Sequence, residues 1–202
     1  MAALIDAARA EDFPAEIVVV ISNKADAGGL IEAKARGVRA VTIESKSYGA
    51  DRAGFEAKLQ SALDENNVDL ICLAGFMRLF TAQFVQRWHG RMLNIHPSLL
   101  PSFPGLDPQG QALRAGVKIS GATVHFVIPE TDAGPILMQG AVAVHDEDST
   151  DTLAARILEI EHRIYPDALR LVAGGQIRLD GDICKTAGGS GSGNVLISPA
   201  LK

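Results

Sequence analysis

Residues 16–22, EIVVVIS, run through five consecutive apolar positions without a polar break. A strand with one wet face alternates in polarity. A strand that is apolar throughout is buried on both faces, as in a parallel sheet covered by helices on either side. DLICLAG at 69–75 repeats the pattern. Between and after these runs the period changes to that of helices. ADAGGLIEAKARG ends at Gly37, DRAGFEAKLQSALDENN puts Phe55, Leu59 and Leu63 on one side, and TAQFVQRW starts at a capping Thr81. RAVTIE and RMLNIH supply two further strands. This alternation predicts a doubly wound α/β fold with a mostly parallel sheet.

The pattern breaks after Pro97. A Pro-rich loop runs to about Gly110. GATVHFVI and GPILMQGAVAV then flank the turn PETDAG and predict a hairpin, so the C-terminal part of the sheet should be antiparallel. A long helix is expected over about 149–173, with Ser149 as N-cap and Asp151 in its first turn. GGQIRLDGD adds a short strand. The expected domain covers 1–182. Residues 183–202, containing TAGGSGSGNVLISPALK, read as a flexible Gly/Ser-rich tail, a linker followed by a strand signal. The chain opens on the helical MAALIDAARA, with no strand or Gly-rich phosphate loop ahead of it.

Composition narrows the function classes. With 202 residues the chain is long enough for one sizeable core. A net charge of −5 and no basic block argue against nucleic acid as a partner. Cys72 and Cys184 are far apart, which suggests neither a zinc site nor a disulfide framework. No apolar stretch reaches the length of a membrane span, and no secretory leader is visible, so a cytoplasmic location is expected.

The chemistry concentrates at the ends of strands, where open α/β sheets bind ligands. Asn94 and His96 alternate on one strand and so share a face. Taken alone, they read either as a hydrogen-bonded core pair or as a functional pair. The hairpin turn adds Asp132, in ETDAGP. Asn offers an NH₂ donor to a developing oxyanion, His can give or take a proton near neutral pH, and a neighbouring carboxylate favours the imidazolium. No Ser or Cys stands in a nucleophile setting. The set therefore suits attack of an external nucleophile on a carbonyl, through a tetrahedral intermediate and without a covalent enzyme adduct.

CLAGFMRLF, RMLNIHPSLLPSFPG, GATVHFV, TDAGPIL and EHRIYP occur in an order that resembles the folate-dependent phosphoribosylglycinamide formyltransferases. The likeness runs from Met1 to about Asp180. It implies a Rossmann-like fold and 10-formyltetrahydrofolate as co-substrate with no metal. It also implies glycinamide ribonucleotide as the small-molecule acceptor, no nucleic-acid or membrane partner, and a monomer or homodimer. By resemblance, Asn94 holds the formyl oxygen, His96 is the general acid, and Asp132 is the carboxylate that supports it. Met77, Arg78, Leu79 and Phe80 match the pterin-holding segment, Arg52 an arginine near the folate glutamate, and Pro97 and Glu161 the acceptor end. The same resemblance leaves room for another folate-dependent formyl transferase or hydrolase, or for a catalytically impaired folate-binding relative.

Two departures qualify the resemblance. The family's first strand and its phosphate-holding Gly-x-Gly-Ser-Asn loop have no counterpart ahead of Met1. PGLDPQGQAL also replaces the usual PGLHTHxQAL, so Asp107 stands where a His is common near the catalytic carboxylate. An additional carboxylate there is expected to oppose ionisation of Asp132. His125, on the strand GATVHFV, is expected to be a buried, hydrogen-bonded structural residue.

Overall fold

The computed structural model describes residues 1–181 and 183–187. Helix α1 (Ala2–Ala7) leads into β1 (Val19–Ser22), α2 (Gly28–Ala35) and β2 (Arg39–Thr42). A short 3₁₀ turn at Ser45–Tyr48 precedes α3 (Arg52–Glu65), β3 (Ile71–Leu73), α4 (Ala82–Arg87) and β4 (Met92–His96). Helix α5 (Pro108–Ala115), strands β5 (Ile119–Phe126) and β6 (Ile136–Ala143), helix α6 (Thr150–Ala173), and strands β7 (Ile177–Asp180) and β8 (Ile183–Thr186) complete the described chain.

Local signals set most boundaries. Asp51 accepts from the Gly54 amide at 2.9 Å to start α3, and Thr81 caps α4 through Phe84. Ser149 and Thr152 form a reciprocal capping box at α6. Gly37 ends the α2 segment at φ 72°, a conformation that costs glycine nothing.

The sheet is mixed α/β, as expected, but it lies in two pieces. Strands β1 and β2 pair in parallel, and β3 pairs in parallel with β4. Strands β4, β5 and β6 continue antiparallel, and β7 and β8 form a separate hairpin. One core packs α6 against β4–β6 around Leu93, Val124, Leu153, Ile157 and Leu169. A second packs α3 and α4 around Phe55, Leu63, Phe84, Trp88 and Met92. Among the described residues no helix is long and apolar enough to cross a membrane.

Three expectations need correction. The Pro-rich stretch does not stay a loop to Gly110: α5 begins at Pro108, capped by Asp107. Proline is well suited to a first helical position, where its missing N–H has no partner to lose. The tail does not begin at 183, because 183–186 form β8 and Cys184 packs against the main core; residues 188–202 of the expected tail lie outside the described residues. The β-branched run is not buried on both faces. Val19–Ser22 and Ile71–Leu73 are all only half-buried; among the described residues β1 and β3 each have a strand on one edge alone.

Candidate active site

Strand β4 carries the site. Its pairing places Asn94 between Leu73 of β3 and His125 of β5, and His96 opposite Thr123. Asn94 Nδ2 lies 3.2 Å from His125 Nε2, and His125 Nδ1 lies 3.0 Å from the Phe126 carbonyl oxygen. A carbonyl can only accept, so Nδ1 carries the proton. Burial pushes the His125 pKa down, which keeps the ring neutral and leaves Nε2 as an acceptor. Asn94 therefore donates one N–H to His125, and its second N–H remains available on the same nitrogen. His125 is the buried, bonded residue expected, but its partner is the candidate oxyanion donor. The signal was Thr-x-His on β5 facing Asn-x-His on β4, a cross-strand pairing visible only once the register is known.

His96 is buried between two acceptors. Its Nε2 lies 3.0 Å from the Phe103 carbonyl oxygen, and its Nδ1 lies 3.5 Å from Asp132 Oδ2, within ion-pair reach. The Asp132 side chain is itself only 10% exposed, and its Oδ2 accepts from the Gly105 amide at 2.8 Å. Asp132 thus ties the β5–β6 turn both to the Pro-rich loop and to the imidazole. Asp132 and Phe103 have φ of 53° and 57°. Non-glycine residues rarely adopt such angles unless their surroundings hold them there.

The hold comes from polar side chains around the loop, of which Thr123 is fully buried. Thr123 Oγ1 donates to the Ser98 carbonyl at 2.7 Å and accepts from the Leu100 amide at 3.0 Å. Gln139 reaches from β6 to the Leu100 carbonyl and to Thr123, and Gln111 Nε2 bonds the carbonyls of Pro104 and Leu106. A side chain at Gly134 would overlap the Phe126 carbonyl. The Asp-x-Gly spacing of the turn is therefore a packing requirement that brings Asp132 to His96.

The expected folate segment projects beyond β3. Met77 is 76% exposed and Leu79 61%. Phe76 and Phe80 stack with centroids 4.8 Å apart, and Arg78 sits over the Phe55 ring. Buried Glu56 of α3 anchors the segment by accepting from the Thr81 amide at 2.6 Å and from its hydroxyl. This apolar and aromatic ledge suits one face of a flat ligand. Arg52 is exposed in the first turn of α3, and among the described residues its side chain makes no hydrogen bond or ion pair.

The acceptor-end residues do meet. Pro97 and Glu161 line one cavity of about 290 Å³ together with Gln109 and Ile157. Burial raises the Glu161 pKa, partly offset by the Met1 amine. Asp107 takes a different place from the one expected. It caps α5 through the Gly110 amide at 3.2 Å and pairs with Arg114 at 3.1 Å, while Asp132 is engaged by Gly105 and His96. Among the described residues no cluster of three or more His, Cys, Asp or Glu is placed to hold a metal ion. Burial pushes the Cys72 thiol up to about 12, so it offers no thiolate.

Comparison with known proteins agrees with this geometry. The formyl transferase family profile matches residues 1–169. The chain is 48% identical over 184 residues to the trifunctional purine biosynthetic protein adenosine-3 of Bos taurus, covering 90% of this chain and 18% of that protein. It thus spans less than a fifth of that relative's length. It is 42% identical over 176 residues to the phosphoribosylglycinamide formyltransferase of Haemophilus influenzae, covering 87% of this chain and 82% of that protein. Among solved structures, glycinamide ribonucleotide transformylase 1 from Symbiobacterium toebii superposes with a TM-score of 0.88 at 46% identity, over 92% of this chain and 87% of that one. With a family match over residues 1–169, most of its length, the chain belongs to the formyl transferase family.

Proposed function

We propose that the chain transfers the formyl group of 10-formyltetrahydrofolate to the amine of 5-phosphoribosylglycinamide, a step of purine biosynthesis. The observation that carries this reading is the grouping of Asn94, His96 and Asp132 around strand β4, with Pro97, the residue after His96, lining a cavity together with Glu161. The named relatives support the choice of substrates.

The residues have defined work in this reading. The 75–80 ledge holds the pterin end of the formyl donor, and Arg52 lies toward its glutamate end. Pro97 and Glu161 hold the acceptor so that its amine faces the formyl carbon. The second N–H of Asn94 bonds the formyl oxygen and meets the negative charge that forms there as the amine adds. His125 fixes the Asn94 amide so that this donor needs no reorientation. His96 gives a proton to the departing folate nitrogen as its bond to carbon breaks. Asp132 faces the imidazole and accepts the proton that the attacking amine must lose. The products are the formamide and tetrahydrofolate, with no covalent enzyme adduct.

The test is a spectrophotometric assay of tetrahydrofolate release with both substrates present. Release that depends on the ribonucleotide amine supports transfer. Release in water at the same rate without the acceptor would instead support hydrolysis, and folate binding without release would support an impaired relative.

A further inference from the structure

The stretch 103–106 of the Pro-rich loop touches both members of the buried His96–Asp132 pair. Its Phe103 carbonyl oxygen lies 3.0 Å from His96 Nε2, and its Gly105 amide donates to Asp132 Oδ2 at 2.8 Å. A carbonyl only accepts, so Nε2 carries a proton there, and Nδ1 is the nitrogen that faces Asp132. The stretch turns through two left-handed residues, Phe103 at φ 57° and Gly105 at φ 78°. A side chain of α5 ties it down. Gln111 Nε2 donates to the Pro104 carbonyl at 3.0 Å and to the Leu106 carbonyl at 2.9 Å, which uses both of its hydrogens.

The Pro104 carbonyl and the Gly105 amide belong to one peptide group. That group is planar and trans, so its C=O and N–H point in opposite directions. Gln111, by holding the oxygen, aims the N–H at Asp132. The peptide is gripped from its two ends, and the hydrogen bonds polarise one another along the row from Gln111 through the peptide to the carboxylate. Rotation of this peptide is otherwise cheap, because glycine adopts either sign of φ at little steric cost. A rotated peptide would turn the Pro104 oxygen toward the Asp132 carboxylate. Two acceptors would then face each other, and the carboxylate would have to leave the place where it meets His96.

We propose that Gln111 is a positioning residue for the reaction: by fixing the Pro104–Gly105 peptide it keeps Asp132 against the His96 imidazole. Among the described residues it has no hydrogen bond of its own to either side chain, so it acts through the peptide. The role rests on the formyl transfer proposed above, in which His96 and Asp132 move protons. Gln111 stands at the end of the first turn of α5, whose start is set by Pro108 and the Asp107 cap, so the helix and the peptide are fixed together. Were the same two bonds only a tie between α5 and the loop before it, their loss would lower stability and leave turnover alone. Kinetics separates the two roles.

Gln111→Met keeps the length of the side chain and removes its donors. Gln111→Glu keeps its shape and sets a carboxylate oxygen against two carbonyl oxygens. Two lost hydrogen bonds shift a two-state equilibrium by roughly 10–100-fold. Gln111→Met should therefore lower kcat by about 10-fold with both KM values nearly unchanged, and Gln111→Glu should be slower still. In an Asp132→Asn background Gln111→Met should add no further loss, because its path to the chemistry is already cut. The Gly105 amide gives a readout that needs no turnover. In the parent it should exchange with deuterium at least ~10-fold more slowly than in an unstructured peptide, and in Gln111→Met at close to the peptide rate. A kcat close to the parent's in both variants, a loss confined to melting temperature or to KM, full additivity with Asp132→Asn, or a Gly105 amide that exchanges freely in the parent would each overturn the proposal. A slow Gly105 amide that is lost in Gln111→Met, in a chain that releases no tetrahydrofolate with the acceptor present, would support the positioning of Asp132 and overturn the transfer reading instead.

Discussion

Gly134 is the position where a single methyl group would separate geometry from chemistry. An added Cβ would overlap the Phe126 carbonyl oxygen and lie 3.0 Å from the carbonyl carbon. Carbon and carbonyl oxygen normally meet at about 3.3–3.6 Å, so relief requires a backbone shift of more than ~1 Å. Backbone is what would have to move, because no flexible side-chain end lies in the path. Asp132 is two residues away, held at 3.5 Å from His96 and 2.8 Å from the Gly105 amide. Misplacing a reacting group by about 1 Å can cost ~10²-fold in rate. Overpacking of this kind also costs about 1–3 kcal/mol of stability. Gly134→Ala should therefore lower kcat by about 10²-fold, measured well below its melting temperature, with folate binding nearly unchanged. The decisive comparison is the double variant with Asp132→Asn. If Gly134→Ala acts through Asp132, the double variant is no slower than Asp132→Asn alone. Full additivity of the two losses, or a kcat within a few-fold of the parent, would refute the reasoning.

Other expectations follow from the same residues. His96→Ala should lose about 10²–10⁴-fold in transfer while folate titration stays near parental affinity, since a proton donor to the leaving nitrogen adds little to pterin binding; turnover close to the parent would remove His96 from its role. Asn94→Ala should cost about 10²–10³-fold, and Asn94→Asp more, because it places negative charge beside a forming oxyanion; equal rates would make Asn94 structural. The Asp148 carboxylate, bonded by Arg156 at 2.7 and 2.9 Å and by the His145 amide, is held well below the usual carboxylate range. Its folded pKa is depressed, so its stabilisation is present at neutral pH and is lost only as pH falls through that folded value. Asp148→Asn should lower stability at pH 7 by roughly 1.5–3 kcal/mol and flatten the acid limb of a denaturation profile, and an unchanged limb would count against the assignment.

Much of this protein is decided by short-range pattern. The periods of its strands and helices, the caps at Asp51, Thr81 and Ser149, and the hairpin around PETDAG depend on neighbouring residues, so the α/β order is legible without a structure. Asn94 and His96 declared a common face by their spacing, and Asp132 by its turn. Helix α5 was hidden because Pro and Gly read as loop signals, whereas a proline at the first position and a capping Asp107 suit a helix. The sequence could not show that His125 holds Asn94, that Gly105 and His96 share Asp132, or that Glu56 grips Thr81. Each pair joins residues 25 or more positions apart, whose meeting depends on register and crossover. The same limit explains β1 and β3. Apolar composition says that a strand wants both faces covered, but which strand lies beside it is a property of the assembled sheet. Only the tertiary structure shows that, among the described residues, these two strands line one cavity and pair on one edge each.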